Sequence, residues 1–580
     1  MQSQIIECVP NYSEGRDMNI IRQITDVIEA VDGVRLLDVD PGEATNRTVV
    51  TFVGEPAAVC EAAFRGAKKA AELIDMTRHH GAHPRMGATD VLPLIPVSGI
   101  SLEECAALAR QLAERMAREA HIPCYCYEAA AYTPERKNLA VCRAGEYEAL
   151  EKKLTTLDLQ PDFLPEGFIP DEVFAGADGQ RTPLVDHIFR CGCTAVGARD
   201  FLIAVNFNLN TTSTRRANAI AFDVREKGRP MREGDTLTGA IIRDADGNAV
   251  MKPGTLKATK AIGWYIDEYG IAQVSMNMTN LAITPLHVAF DEVCRAAAAR
   301  GIRVTGTEIV GLVPRKTLID AGRYFLEKQH RSTGIPEEDI VKIAVKSMGL
   351  DDLKPFRPEE KVIEYLLEDR STKRLVDLTA RQLALETSRE SPAPGGGTIA
   401  AYMGALGAAL GTMVANLSAH KRGWDDRWQQ FSDWAALGQD IMAQLLSLVD
   451  EDTEAFKACM AAFAMPKKTD AERAQRAEAI ERATLQAAEV PLRTMHAAMQ
   501  AFVVCRAMAK EGNPASISDA GVGALATRAA VVGAGLNVKI NAASLTDKER
   551  AAQLVADAEE TMRRADAAER EILEIVNSKI

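Results

Sequence analysis

Between Gln4 and Tyr127 the apolar positions switch repeatedly between a two-residue and a helical period, and the switches mark out elements. Runs rich in Val and Ile predict strands at Gln4–Val9, Gly33–Val39, Arg47–Val53, Asp90–Pro96 and Pro123–Tyr127. Helical periods fill the gaps at Met18–Ala30, Pro56–Ile74 and Leu102–Ala120. The leading order is β-α-β-β-α-β. It returns after residue 200 with FLIAVNFNL, a helix over Ser213–Glu226, the hairpin-like pair AIGWYID and IAQVSMNM, a helix over Leu286–Arg300 and the strand RVTGTEIVGLV. Two such passes predict two related α+β sandwiches, each a βαββαβ plait of ferredoxin-like type. The cleft between them is the natural place for a substrate.

Past residue 376 the pattern changes. Ala, Leu, Met and Glu dominate, and helical periods run over Gln430–Phe463, Asp470–Glu489, Pro491–Lys510 and Thr546–Asn577, which predicts an all-α domain over 376–580. The small residues of AAYMGALGAALGTM suit helices packed closely, whether inside a core or across a dimer. The domains expected are 1–200, 201–367 and 376–580, with a linker at 368–375. The Pro-, Gly- and Asp-rich segment Pro161–Cys193 reads as a long loop, either a lid or an insert.

Composition narrows the class. A chain of 580 residues is too long for one hydrophobic core. A net charge of -13 argues against a broad nucleic-acid footprint, while leaving room for a local basic pocket. The 11 cysteines form no C-x-x-C pair, which favours reduced, mostly buried thiols. No basic-then-apolar leader opens the chain, and no run of about 18 apolar residues stands out. The expectation is a soluble cytoplasmic protein that meets neither membrane nor nucleic acid.

Candidate chemistry concentrates in HHGAHPRMGATDV, which holds three of the nine histidines. His79 and His83 are four apart, but Gly81 and Pro84 argue against the helix that would align them on a metal. An acid–base site is a second reading: histidine titrates near neutrality, and Arg85 offers a positive charge to an anionic substrate. A solvated polar loop is the third. Nearby strand ends present Asn11 and Ser13 in CVPNYSEG, and Asp38 and Asp40 in LLDVDPG. In the second half, SPAPGGGT opens a long apolar helix, so backbone N–H groups converge where an anion is welcome; a hinge with a helix cap is the plainer alternative. Asp452 falls on the apolar stripe Ile441, Leu445, Leu448 and Ala455, as a functional acid or as a cap on another helix.

The blocks IIECVPNYSEGRD, LLDVDPGEATNRTVVTFVG, LIDMTRHHGAHPRMGATDVLPLIPV and CTAVGARDFLIAVNFNL resemble glutamate formimidoyltransferase. The blocks SPAPGGGTIAAYMGALGAALGTMV and LVDEDTEAF resemble formimidoyltetrahydrofolate cyclodeaminase. Together they look like the bifunctional formimidoyltransferase–cyclodeaminase family, with Pro161–Cys193 longer than the family pattern. The resemblance implies transfer of a formimino group from N-formimino-L-glutamate to tetrahydrofolate. Closure to 5,10-methenyltetrahydrofolate with loss of ammonia would follow, as part of histidine degradation. It places the catalytic groups at His83 and Asp452. It gives substrate or folate contacts to Asn11, Asp40, Arg85, Gly197, Arg199 and the triple glycine Gly395, Gly396 and Gly397. It also implies a polyglutamylated folate co-substrate, no metal, and a homo-oligomer. A transferase with a merely structural helical half is the alternative.

Overall fold

Alternation decides the first strand: Ile6 and Cys8 turn into a layer of helices and are fully buried, whereas Glu7 turns to the opposite face. The computed structural model describes residues 4–43, 45–81, 84–173, 181–235, 239–367, 374–391 and 393–580. In it seven strands form one sheet: β1 (Ile5–Cys8), β2 (Asn11–Tyr12), β3 (Val34–Gly42), β4 (Arg47–Gly54), β5 (Thr89–Ser98), β6 (Cys124–Glu128) and β7 (Thr194–Ala198). β4 pairs antiparallel with β1, β2 and β3. β5 pairs antiparallel with β1 and β2, and β7 then β6 extend its other side in parallel. Helices α1 (Met18–Glu29), α2 (Pro56–Leu73) and α3 (Leu102–Ala120) cover one face, burying Ile24, Ile28, Ala67 and Met116 against Ile6, Phe52 and Leu92. Asp17 caps α1, and a Ser101–Glu104 capping box starts α3.

The segment Pro161–Cys193 departs from the loop expected of it. Its described part ends in α4 (Pro183–Cys191), with Thr182 as N-cap, Pro183 at the first turn, and Val185, Ile188 and Cys191 buried at helical spacing. Ile188 joins Met86, Val91, Tyr125, Leu154 and Cys193 in a second apolar layer on the other face of the sheet. High Pro and Gly content hid a nine-residue helix that needs only three apolar anchors.

A second, four-stranded sheet contains β8 (Ile203–Leu209) and, after α5 (Thr214–Val224) and the short ribbon β9 (Arg229–Pro230) with β10 (Met251–Lys252), the hairpin β11 (Thr259–Ile266) and β12 (Ile271–Met278). Helix α6 (Leu286–Ala298) and β13 (Val304–Val310) complete it in the antiparallel order β11-β12-β8-β13. Val205, Phe207, Val274 and Met276 are buried, and by alternation Asn206, Asn208 and Gln273 point the other way.

These sheets belong to one compact unit, residues 1–317 with 348–367; a second unit comprises 318–347 with 368–580 and is almost wholly helical. Its long helices are α7 (Gly396–Ala419), α8 (Trp428–Ala464), α9 (Asp470–Glu511), α10 (Ile517–Ala543) and α11 (Lys548–Asn577). Glycines let α7 pack tightly. A Cβ at Gly407 would stand 2.4 Å from Thr527 Oγ1, and one at Gly411 would stand 3.1 Å from Val504. Residues 318–347 join this unit rather than the sheets: Asn416 Nδ2 donates to Gly334 O at 2.7 Å, and Thr333 N to Ser432 Oγ at 3.0 Å. The linker expected at 368–375 falls largely outside the described residues.

Three helical expectations need correction. Helices α7 and Pro514–Ala543 are long and apolar enough to match a membrane span, although 61% and 50% of their most apolar windows are buried inside the protein. The sequence pattern does not predict helix α10, because GNPASISDAG resembles a turn and the helix is apolar on nearly every side. Pro491 does not divide Asp470–Glu511. A proline denies the carbonyl four residues earlier its usual N–H, and here Asn541 Nδ2 donates to that carbonyl, Ala487 O, at 2.7 Å. Asn541→Ala is therefore expected to destabilise the helical unit by about 1–3 kcal/mol, the cost of an orphaned buried acceptor. Denaturant melts of the full chain would show it, and an unchanged midpoint would refute the assignment.

Candidate active sites

The sheet face bearing Glu7 also carries Asn11, by alternation along the same edge. Asn11 Nδ2 donates to Val9 O and its Oδ1 accepts from Arg47 Nε, both at 3.0 Å. Arg47 in turn grips the fully buried Asp90, which Arg143 reaches at 2.6 Å. Burial alone would raise the Asp90 carboxyl, but the two guanidinium groups outweigh it and hold the acid below its usual range. The other oxygen, Oδ1, accepts from Met86 N at 3.0 Å. One carboxylate thus fixes both Asn11 and the chain that follows Pro84 and Arg85.

The histidines separate. His79 is buried; its Nε2 lies 2.9 Å from Asn46 O and its Nδ1 accepts from Arg85 Nε at 3.4 Å, so both ring nitrogens are engaged. Burial lowers its basicity, Asn46 O opposes this, and Arg85 reinforces it. His80 is exposed, and its carbonyl accepts from Asn46 Nδ2 at 3.0 Å. His83 lies outside the described residues. Arg85 differs from the open cation that the sequence offered: Glu148 and Glu146 take its guanidinium at 2.8 and 3.1 Å, and the carbonyl of His79 takes a further N–H. Two carboxylates already neutralise the charge an anionic substrate would need.

Asp40 lies on β3 across β4 from Asn11, both in register with Val49. Burial raises its carboxyl above the ordinary range, and Asp38 adds to this; Lys361 and Lys354 pull it down while Glu308 pushes it up. Charges from the second sheet and the chain after it therefore bear on this face of the first. Gly197 on β7 admits the Tyr127 ring, since a Cβ there would meet that ring at 2.6 Å. Arg199 lies near enough to Tyr127 for its charge to oppose the effect of burial on that hydroxyl, and its Nη1 donates to Asp200 O at 3.0 Å.

In the helical unit the triple glycine and Asp452 meet. Helix α7 starts at Gly396 with Gly395 as an extended N-cap and no side-chain cap of its own. Asp452, from α8, sets its carboxylate beside this end: Thr398 Oγ1 donates to its Oδ2 at 2.8 Å. Burial nevertheless raises the carboxyl. A Cβ at Gly397 would stand 2.3 Å from Asp452 Oδ1, so only glycine lets the acid come this close. The anion that this helix end receives is the chain's own. Nearby, Asn537 faces Gly396, with Nδ2 3.3 Å from where a Cβ would stand. Other polar residues of this unit are engaged elsewhere: Lys539 pairs with Glu559, Asn541 serves Ala487, and Asn513 caps the turn at Ala515.

Comparison with known proteins covers both sites. Residues 5–177 match the formiminotransferase domain, N-terminal subdomain; residues 204–368 match the formiminotransferase domain; residues 379–560 match formiminotransferase-cyclodeaminase. A formimidoyltransferase-cyclodeaminase of Mus musculus is 41% identical over 546 residues, covering 94% of each chain. The chain belongs to the formimidoyltransferase-cyclodeaminase family. Two shorter relatives cover parts of it. A glutamate formimidoyltransferase of Streptococcus pyogenes serotype M1 is 38% identical over 56% of this chain and 94% of its own. A methenyltetrahydrofolate cyclohydrolase of Methylorubrum extorquens is 36% identical over 33% of this chain and 91% of its own. Gly197 and Arg199 fall between the first two family matches.

Two polar groups on the sheet faces are not among the residues that the sequence motifs single out: Glu7, and the set Asn206, Asn208, Gln273 and Glu308. The alternation in IIEC and NFNL carried the signal, because polar residues between buried apolar ones mark the face turned from the core. Glu7 is 3% exposed, and burial raises its carboxyl from 4.5 to about 7, with Arg199 opposing and Glu364 assisting. The folded chain thus holds a proton there that the unfolded chain releases between about pH 4.5 and 7, so this group's contribution to stability falls as pH rises through that window. Relative to wild type, Glu7→Gln should gain on the order of 3 kcal/mol in stability between pH 4.5 and 7.5. Melting curves at several pH values check this, and parallel profiles for the two proteins would contradict it.

Proposed function

We propose that this chain carries both activities of its family. It transfers the formimino group of N-formimino-L-glutamate to N5 of tetrahydrofolate, then closes 5-formiminotetrahydrofolate to 5,10-methenyltetrahydrofolate with release of ammonia. The observation that carries the proposal is coverage: the Mus musculus relative aligns over 94% of both chains, so neither half stands alone.

Transfer requires the folate amine to attack an amidine carbon and glutamate to depart as an amine. Each step moves a proton, which suits a histidine acting first as base and then as acid. His83 is assigned that role. Asn11 and Asp40 border the polar face where the amidine would lie, with Asn11 held rigid through Arg47 and Asp90. Arg85 is assigned to holding the loop through Glu146 and Glu148, and Gly197 and Arg199 to shaping the wall around Tyr127.

Cyclisation needs N10 to attack the same carbon and the leaving nitrogen to gain a proton. Asp452 is assigned as that acid. Burial favours its protonated form, and Thr398 fixes its orientation. Gly395, Gly396 and Gly397 keep the backbone thin around it. The rival reading, a helical half that only supports a transferase, treats Asp452 as a cap and nothing more.

Finer features belong to the same proposal. Strand orders β5-β1-β4-β3, with α1 and α2 among its covering helices, and β13-β8-β12-β11, with α5 and α6, suit ferredoxin-like plaits. The folate is polyglutamylated and the protein is cytoplasmic. The chain assembles with copies of itself, a reading supported by the exposed Leu406, Met413, Leu417, Val522, Leu536 and Ile540 on α7 and α10. Assaying formimino transfer and ammonia release separately on the full chain tests the function. Both are expected, and transfer without ammonia would leave only the rival.

A further inference from the structure

The face of the second sheet turned away from α5 and α6 carries a ladder of amides that ends on a carboxylate. Trp264 lies in register with Gln273, Gln273 with Asn208, and Asn208 with Gly306; in the next row Asn206 lies opposite Glu308. Trp264 Nε1 donates to Gln273 Oε1 at 3.0 Å, which leaves Gln273 Nε2 to donate to Asn208 Oδ1 at 2.8 Å. Asn208 Nδ2 then donates to Asp352 Oδ2 at 3.3 Å. Asp352 can come that near because Gly306 has no side chain: a Cβ there would stand 2.3 Å from the Asp352 Cβ. An indole only donates and a carboxylate only accepts, so both ends fix which way each amide points.

Asn208 and Gln273 are fully buried and Asn206 nearly so. Buried amides are costly unless bonded, and a ladder bonded this fully is rigid. Its outlet is Glu308. Asn206 Nδ2 donates to Glu308 Oε2 at 3.0 Å, while Gln273 Nε2 at 3.5 Å and the Tyr269 hydroxyl at 3.4 Å are at the limit of a hydrogen bond. Among the described residues no cation pairs with Glu308; Lys354, close by, pairs with Glu268 at 3.3 Å. The carboxylate is partly exposed, and its charge is felt by Asp40 of the first sheet. It is firmly aimed, loosely satisfied and uncompensated, a combination that calls for N–H donors from outside the chain.

We propose that Glu308 is a substrate-recognition residue of the transferase site, its carboxylate accepting a planar pair of N–H groups. This rests on the transferase reading above. Both substrates offer such a pair: the protonated amidine of the formimino donor, and the 2-amino-4-oxopyrimidine edge of the reduced pteridine. A neutral amide at this position would present one donor where two acceptors are needed, and that donor would compete with Asn206 Nδ2.

The test is steady-state formimino transfer by full-length Glu308→Gln, varying each substrate in turn. The KM for one substrate is expected to rise about 10- to 100-fold, the loss of a charged hydrogen bond, with the other KM within twofold. The substrate that moves identifies the source of the N–H pair. Tyr269→Phe, which removes a long bond to Oε1, should shift the same KM in the same direction by a smaller factor, and it decides the matter if the first variant does not fold. The assignment is overturned if both KM values stay within twofold of wild type. It is equally overturned if both rise together while kcat and the melting temperature fall, the mark of a scaffold residue. Should the wild-type chain transfer no formimino group, the functional reading has failed instead.

Discussion

Asp452→Asn is expected to slow ammonia release about 10²- to 10⁴-fold, the span typical of a lost general acid, while formimino transfer stays within twofold of wild type. Asparagine keeps the size of the side chain and an oxygen for the Thr398 hydroxyl, so the contact at the start of α7 remains. What it removes is the transferable proton, which burial helps the aspartic acid retain. Losing the charge at the helix end costs on the order of 1 kcal/mol, too little to unfold the unit. Supplying 5-formiminotetrahydrofolate directly and following ammonia isolates the step. Undiminished ammonia would reduce Asp452 to a structural partner of Thr398 and move the acid elsewhere in the helical unit.

His83→Ala should produce the reciprocal result, with transfer lowered about 10²- to 10⁴-fold and ammonia release from supplied intermediate unchanged. The case is strengthened by the two histidines that the structure describes. His79 has both ring nitrogens engaged and is held toward its neutral form, and His80 contributes its backbone carbonyl to Asn46. His79, with both ring nitrogens committed, is not arranged to move a proton at substrate. Parallel measurement of both activities in His83→Ala decides this, and transfer within threefold of wild type would remove the assignment.

The elements easiest to read in the sequence were those whose burial is one-sided. Strands such as Ile203–Leu209 and helices such as Met18–Glu29 bury one face, so their period shows. Helix Ile517–Ala543 is apolar on nearly every side and full of small residues, so no period marked it. Helix Pro183–Cys191 hid among prolines and glycines. Pro491 looked like an end because its rescue comes from Asn541, fifty positions along the chain. The site followed the same logic. Asp452 was visible as a break in the apolar stripe of its own helix. The engagement of Arg85 by Glu146 and Glu148, and the ladder from Trp264 to Asp352, depend on partners far apart in sequence, and local pattern could not expose them.

The grouping of residues 318–347 with the helices has a consequence for how the chain can be cut. The polypeptide passes from the sheet unit to the helical unit, back again at 348–367, and then returns for good. A fragment beginning at residue 376 would leave behind the strand of chain that satisfies Asn416 and Ser432. On the ribosome, that same stretch emerges well before the helices it must rest on. The two halves are laced by three crossings, and scissors applied at the visible boundary would sever only one of them.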